Sequence, residues 1–298
     1  MLRYRVSTTI AVAAAACLTT ATAAPAMATG GRPPEIVHFD LAAHQQPENI
    51  TIEPDGSADL TFAGIAQVAR VSTTGQVSVI ANLPAGGGVS GIVRAPDGTL
   101  YVNYQGGAET GVWQIDRSGK ARLFAALPAG GSLNGLAISA DVLYATDSSA
   151  GQVWRIPLDG SGAVLWAQGG ALAKTSAYGA NGIKADRSGV WVSNTDAGKL
   201  LRIPVNRDGS AGPVQVKATG LAGIDDFALD GPTVLAALDA SSVVVRVRPD
   251  GSHSVVLTGD DGLSNPTSVA VRGRMVYVPS AAYATQHDPN LLIVRSHD

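Results

Sequence analysis

Four residues of this chain, Glu48, Asn134, Asn181 and Asp225, carry oxygen donors and stand at equivalent places in a repeated phrase. Each opens a run of one polar residue, one small or polar residue and one apolar residue, followed by more residues of strand character. The phrase reads Glu48-Asn49-Ile50, Asn134-Gly135-Leu136, Asn181-Gly182-Ile183 and Asp225-Asp226-Phe227, and Ser90-Gly91-Ile92 and Thr267-Ser268-Val269 complete a set of six. Two carboxylates and two carboxamides gathered at one confined point repel or go unpaired unless a cation neutralises them, because a buried, unpaired carboxylate costs several kcal/mol. A donor set made only of oxygen, without His or Cys, selects a hard ion. A flexible set with room for water suits Ca²⁺ better than Mg²⁺, which demands near-ideal octahedral geometry.

For that chemistry the six phrases must converge, and their spacing says how. Successive starts lie 42, 44, 47, 44 and 42 residues apart, within the roughly 40–50 residues that a four-stranded propeller blade needs. Within the third repeat, 134–139, 142–146, 152–157 and 163–167 read as four short strands separated by turn residues such as Asp159-Gly160. Equivalent third strands are expected at 111–115, 199–203 and 243–247. The pattern has no useful helical period, which argues for an all-β chain, a six-bladed β-propeller of four-stranded blades. The innermost strand of each blade starts near the axis, so the phrase-opening residues meet at one mouth of the tunnel. The sixth repeat supplies only three strands, 267–272, 275–278 and 291–295. The segment at about 35–40, Glu35-Ile36-Val37-His38-Phe39-Asp40, is expected to complete it and close the ring, since an open sheet edge leaves orphan backbone groups.

The first residues have the layout of a secretory signal: Arg3 and Arg5, an uncharged run from Ile10 to Leu18, then small residues ending in Ala26-Met27-Ala28. Residues 1–28 are read as a signal peptide cleaved after Ala28, with 29–298 as one propeller domain that is secreted. The apolar run is shorter than the roughly 20 residues of a membrane span. Cys17, the one cysteine of the chain, lies in this leader, so the mature chain has no disulfide partner and no thiolate chemistry. Without the leader the chain keeps 19 Lys and Arg against 24 Asp and Glu, a net charge of −5. No basic cluster remains to drive nucleic-acid binding by counterion release.

On these phrases the chain resembles the superfamily of calcium-dependent six-bladed propeller hydrolases that includes gluconolactonase, senescence-marker protein, luciferin-regenerating enzyme, diisopropylfluorophosphatase and the paraoxonases. The carriers are Glu48 in Gln46-Pro47-Glu48-Asn49, Asn134 in Leu133-Asn134-Gly135-Leu136, Asn181 in Ala180-Asn181-Gly182-Ile183, and Asp225 in Ile224-Asp225-Asp226-Phe227. The resemblance implies a Ca²⁺ ligand set of Glu48, Asn134, Asn181 and Asp225. It also implies a small-molecule lactone or related ester as substrate, and a catalytic role for Asp225 as nucleophile or general base. Members acting on sugar lactones often carry an arginine shortly before the third-blade asparagine, where this chain has Ser132 and Leu133. The usual Asp-Gly of the fifth blade is here Asp225-Asp226, which makes Asp226 a further possible ligand.

Other features read as structure. The Asp-Gly pairs at 55, 97, 159, 208 and 250 lack the further acids of a calcium loop and read as hairpin turns. Trp113, Trp154, Trp166 and Trp191 fall in strands and read as core. His44 and His287 stand in segments able to lean over the mouth, and both read as surface residues. Tyr178 and Tyr283 stand in loops able to wall it. Two rival functions share the scaffold: a non-catalytic propeller that binds a ligand or protein, and an enzyme like strictosidine synthase or streptogramin lyase.

Overall fold

The computed structural model describes residues 35–186 and 189–296; the leader and Cys17 lie outside them. Six four-stranded antiparallel sheets follow one another along the chain. Their inner strands are Pro47–Ile52, Gly88–Arg94, Leu133–Ser139, Ala180–Asp186, Ile224–Asp230 and Ala270–Arg272. The third strands expected from sequence fall at Gly111–Ile115, Lys199–Ile203 and Val243–Val247, and the third repeat resolves into Leu133–Ser139, Val142–Asp147, Gln152–Pro157 and Val164–Gln168. The architecture is a six-bladed β-propeller.

Ring closure follows the expected route. Glu35–His38 pairs antiparallel with Asn290–Arg295, from Glu35 opposite Ile293 to His38 opposite Asn290, and becomes the outer strand of the sixth blade.

Alternation along each strand sends apolar side chains to both faces of the sheet, because each blade is covered by a neighbour on either side. The consequence is six separate apolar cores, one in each gap between blades. Val68 and Ala81 of the first blade meet Val102, Tyr104 and Trp113 of the second. Phe39, Leu60 and Phe62 meet Tyr277 and Leu291 across the closure. Trp113 is buried, and Trp154, Trp166 and Trp191 are partly buried against the cores beside them.

The Asp-Gly pairs are hairpin turns. Gly56, Gly98, Gly160, Gly209 and Gly251 all have φ between 80° and 97°, a region that glycine enters without the Cβ penalty. The preceding aspartate accepts the backbone N–H two residues on, as Asp55 does from Ser57 and Asp250 from Ser252. These carboxylates are committed to their turns.

Candidate functional site

Each of the six phrases begins at a break in strand pairing. Between the first two strands of the blades the register shifts across Glu48, across Ser90-Gly91, across Asn134-Gly135, across Asn181-Gly182 and across Asp225-Asp226. In the sixth blade, ladder pairing begins only at Ala270. A β-bulge frees backbone groups and re-aims the side chain it carries. The freed carbonyls point at the preceding blade, where a polar residue of the second strand meets them. Thr61 donates to the Ser90 carbonyl at 2.7 Å, Asn103 to the Asn134 carbonyl at 2.9 Å, and Ser193 to the Asp225 carbonyl at 2.5 Å; Thr146 donates to the Asn181 carbonyl. Blade-to-blade hydrogen bonds therefore fix the backbone at the very residues that open onto the mouth. Ser90 and Thr267 are spent on the same task, donating to the carbonyls of Leu133 and Pro47 in the next blades.

Among the described residues, the side chains of the remaining four phrase residues are not spent on a carbonyl of the next blade in this way. Glu48, Asn181 and Asp225 are buried and Asn134 is half-buried. Burial is the main reason Asp225 ionises only well above the usual carboxylate range; next come the charges of Glu48, Asp239 and Asp226, with a hydrogen bond to Asn181 acting the other way. Glu48 is pushed up to about 7, again chiefly by burial, with the Tyr283 hydrogen bond opposing it and the charges of Asp239 and Asp226 adding to it. The Asn181 amide donates from Nδ2 to Thr195 Oγ1 at 2.7 Å and leaves its Oδ1 buried without a donor. Glu48 and Asp225 thus act on each other electrostatically and Asn181 hydrogen-bonds Asp225, while Asn134, the fourth residue expected from the sequence, is not among the groups that shift either carboxylate.

Two further residues belong to it that the sequence did not single out as donors. Asp239, in the turn after the second strand of the fifth blade, raises the pKa of both Glu48 and Asp225, and its own Oδ1 is buried without a donor. The antiparallel register predicts its position, because Ile224 pairs with Leu238 and so brings residue 239 back beside the phrase. Tyr283 donates its hydroxyl to Glu48 Oε2 at 2.6 Å, and burial against these acids raises its own pKa far above the usual phenol value.

Asp226 behaves differently from Asp225. Its Oδ2 accepts from Lys184 Nζ at 2.5 Å, Ser268 Oγ at 2.7 Å and Asn49 Nδ2 at 3.0 Å, so residues of the first, fourth, fifth and sixth blades join across the tunnel axis. Its charge is paired with Lys184, while its Oδ1 is buried without a donor. His44 and His287 are both exposed, and among the described residues no imidazole hydrogen-bonds to Glu48, Asp225 or Asp239.

At the opposite end the inner strands line a cavity of about 490 Å³ with Ile52, Val93, Ile138, Ala185, Leu229 and Val271. At that end Glu53 pairs with Arg70 and Arg94 at 2.7 Å each, and Arg272 donates to the Pro54 carbonyl. Among the described residues no three His, Cys, Asp or Glu side chains form a ready cage for a metal. A cation at the mouth therefore needs the amide oxygens as well. The orphaned Oδ1 of Asn181 and the carboxylates of Glu48 and Asp225, neither of which has an ion pair among the described residues, are oxygen donors of the kind a hard divalent ion takes.

Fold and site define a six-bladed propeller with an acidic, amide-bearing mouth. The chain belongs to the family described as a repeat of unknown function, DUF6923, whose model matches residues 52–231. No curated protein matches it in sequence. Solved structures share the fold. A gluconolactonase from Xanthomonas campestris is 17% identical with a TM-score of 0.68, covering 90% of this chain and 96% of that one. Regucalcin from Agrobacterium tumefaciens, a calcium-binding protein, is 16% identical with a TM-score of 0.66, covering 84% and 90%. Virginiamycin B lyase from Staphylococcus aureus is 14% identical with a TM-score of 0.62, covering 89% and 99%.

Proposed function

We propose that this chain is an exported, calcium-dependent hydrolase of lactones or related esters, with its active site at the propeller mouth. The observation that carries the reading is the group formed by the buried carboxylates of Glu48 and Asp225 and the half-buried Asp239, which among the described residues has no cationic side chain paired with it. Glu48, Asn134, Asn181 and Asp225 hold the ion. When bound, Ca²⁺ supplies Lewis acidity toward the carbonyl oxygen of the substrate, a contribution of several kcal/mol.

The chain's own residues do the rest. The blade-to-blade hydrogen bonds at the bulges hold the donors in place, so little reorganisation accompanies reaction. Tyr283 and the loop around it wall the site. Asp225 acts either as the base that takes a proton from the attacking water at its free carboxylate oxygen, or as the nucleophile that attacks the carbonyl carbon. In both routes water adds across the acyl C–O bond, which breaks to leave a carboxylate and an alcohol. Single-turnover reaction in ¹⁸O-labelled water separates the two, because only the nucleophilic route puts unlabelled oxygen from Asp225 into the product.

The resemblance of the mouth to calcium-dependent propeller hydrolases supports this reading, as does the fold shared with a gluconolactonase. A lyase is less well supported. In virginiamycin B lyase, a form with one histidine replaced by alanine is described as catalytically inactive, whereas here, among the described residues, no imidazole is hydrogen-bonded to the acidic group. The test is calcium binding followed by hydrolysis of aryl esters, aliphatic lactones and phosphotriesters, with and without chelator. Bound calcium without turnover of any of these would replace the hydrolase by a binding propeller whose ion pins the blades. Export rests on residues 1–28, and the N-terminal sequence of the secreted chain checks cleavage after Ala28.

A further inference from the structure

The loop from Ala281 to Pro289 carries an unusual amount of strain for its length. Ala282, Gln286 and Asp288 all adopt left-handed backbone, with φ of 56°, 51° and 57°. Non-glycine residues in that region each cost of order 1 kcal/mol and persist where the surroundings over-determine them. Here the surroundings converge on one buried residue, Asn265, itself left-handed at φ 54° and 2% exposed.

Asn265 works as a latch with two arms. Its Oδ1 accepts from the backbone N–H groups of Ala284 and Thr285, at 2.8 Å each, and its Nδ2 donates to the carbonyl of Asp239 at 3.0 Å. One side chain therefore ties the loop to the turn that places Asp239. On the other flank, Gln46 Nε2 donates to the carbonyl of Ala281 at 2.8 Å, two residues before Glu48. The side chain thus presented at the mouth is Tyr283. The residue is 40% exposed and its hydroxyl donates to Glu48 Oε2 at 2.6 Å.

We propose that Tyr283 is a positioning residue for cation capture: its hydroxyl occupies Oε2 of Glu48 and thereby holds Oε1 toward the ion, and the Asn265 latch holds the hydroxyl in place. The inference rests on the mouth being a calcium site and adds the residue that orients its glutamate. A carboxylate with one oxygen engaged by a neutral donor offers the other in one orientation. An unrestrained carboxylate must be ordered by the ion itself. Outer partners of this kind typically change metal affinity 10–100-fold.

The experiment is titration of the purified chain with CaCl₂ in a calorimeter, for wild type, Tyr283→Phe and Asn265→Ser, with thermal melts in chelator alongside. Phe keeps the ring and removes only the donor. The expected result is an affinity at least about fivefold weaker for Tyr283→Phe, with an unchanged melt in chelator, and a loss in the same direction for Asn265→Ser. Affinity unchanged in Tyr283→Phe would overturn the proposal while leaving the site intact. Tighter binding would overturn it too, as showing that the hydroxyl competes with the ion. A Tyr283→Phe chain that unfolds in chelator overturns it as well, because the hydroxyl would then hold the fold rather than the carboxylate. Absence of calcium binding in wild type would sink the site and this inference together, a result distinct from the other three.

Discussion

Other buried acids of the chain, some of them beside the phrases, come with partners of their own. Asp59 is fully buried and is gripped by Arg70 through two hydrogen bonds of 2.6 and 2.7 Å. Asp226 has Lys184. Asp147 accepts backbone N–H groups from Ser132, Ser149 and Ala150 at 3.0 Å each. At the mouth, burial raises the pKa of Glu48, Asp225 and Asp239, the charge of Asp239 adds to the shift of both Glu48 and Asp225, and that of Glu48 to Asp225; among the described residues none of the three has an ion pair. Asp225 and Asp226 make the contrast sharpest, because they are adjacent in sequence and buried alike. One carboxylate is paired with a lysine and its neighbour has no cation, which is the contrast on which the proposed calcium site rests.

Four experiments break or sharpen that contrast. The largest expected effect is on turnover. Asp225→Asn should lower kcat on the preferred ester or lactone on the order of 10³-fold, several kcal/mol of barrier, while its melt in chelator is no lower than wild type. A variant with full activity would remove Asp225 from the chemistry.

The second reverses the sign of a stability change between neighbours. Lys184→Met strands Asp226 and should destabilise by about 3 kcal/mol, at the low end for a broken buried pair because the lysine is partly exposed. By the same logic Asp225→Asn removes repulsion and should raise the midpoint of urea unfolding in chelator. If both variants destabilise alike, the two ends of the charge contrast are not different in kind.

The third is ligand linkage. Calcium at 100 times its Kd should stabilise wild type by about 2.7 kcal/mol, with little effect on a Glu48→Gln, Asp225→Asn double variant. A thermal shift of equal size in both would place the ion elsewhere.

The fourth, and smallest, is a pH dependence with a definite sign. Glu48 has a folded-state pKa of about 7 against 4.5 for the ordinary group. The native state therefore binds more protons than the unfolded state between those values, and ion-free stability should fall as pH rises from 4.5 through 7. Saturating calcium should flatten that slope. Urea midpoints at pH 5 and 8, with and without chelator, measure it; a chelated protein more stable at pH 8 than at pH 5 would contradict the electrostatic picture.

The propeller was legible because its signal is periodic: the phrases recur at the interval of a blade, and strands such as 111–115, 199–203 and 243–247 are bounded by turns and dense in Val, Leu and Ile. The buried Glu48, Asn181 and Asp225 could be named from the sequence for the same reason, each being the first residue of its phrase. Asp239 and Tyr283 were not legible as donors because they lie in connections between strands, where the sequence has no period and proximity to the mouth depends on register. Pairing of Ile224 with Leu238 would have located Asp239. Tyr283 could be placed near the mouth but not on Glu48, since its hydroxyl gets there through a latch supplied by Asn265, far from it in sequence and marked by no motif. The partner of Asp226 was equally hidden, since Lys184 reads as an ordinary surface lysine three residues past Asn181.

The pairing of Glu35–His38 with Asn290–Arg295 joins segments more than 250 residues apart. A circle stitched this way cannot be finished until nearly all of the polypeptide is available. Until then the gap between first and last blades, where Phe39, Leu60 and Phe62 meet Tyr277 and Leu291, stays open to water. Assembly should therefore end in a late, cooperative zippering step, and trimming a few residues from either terminal strand should loosen the whole ring rather than one blade.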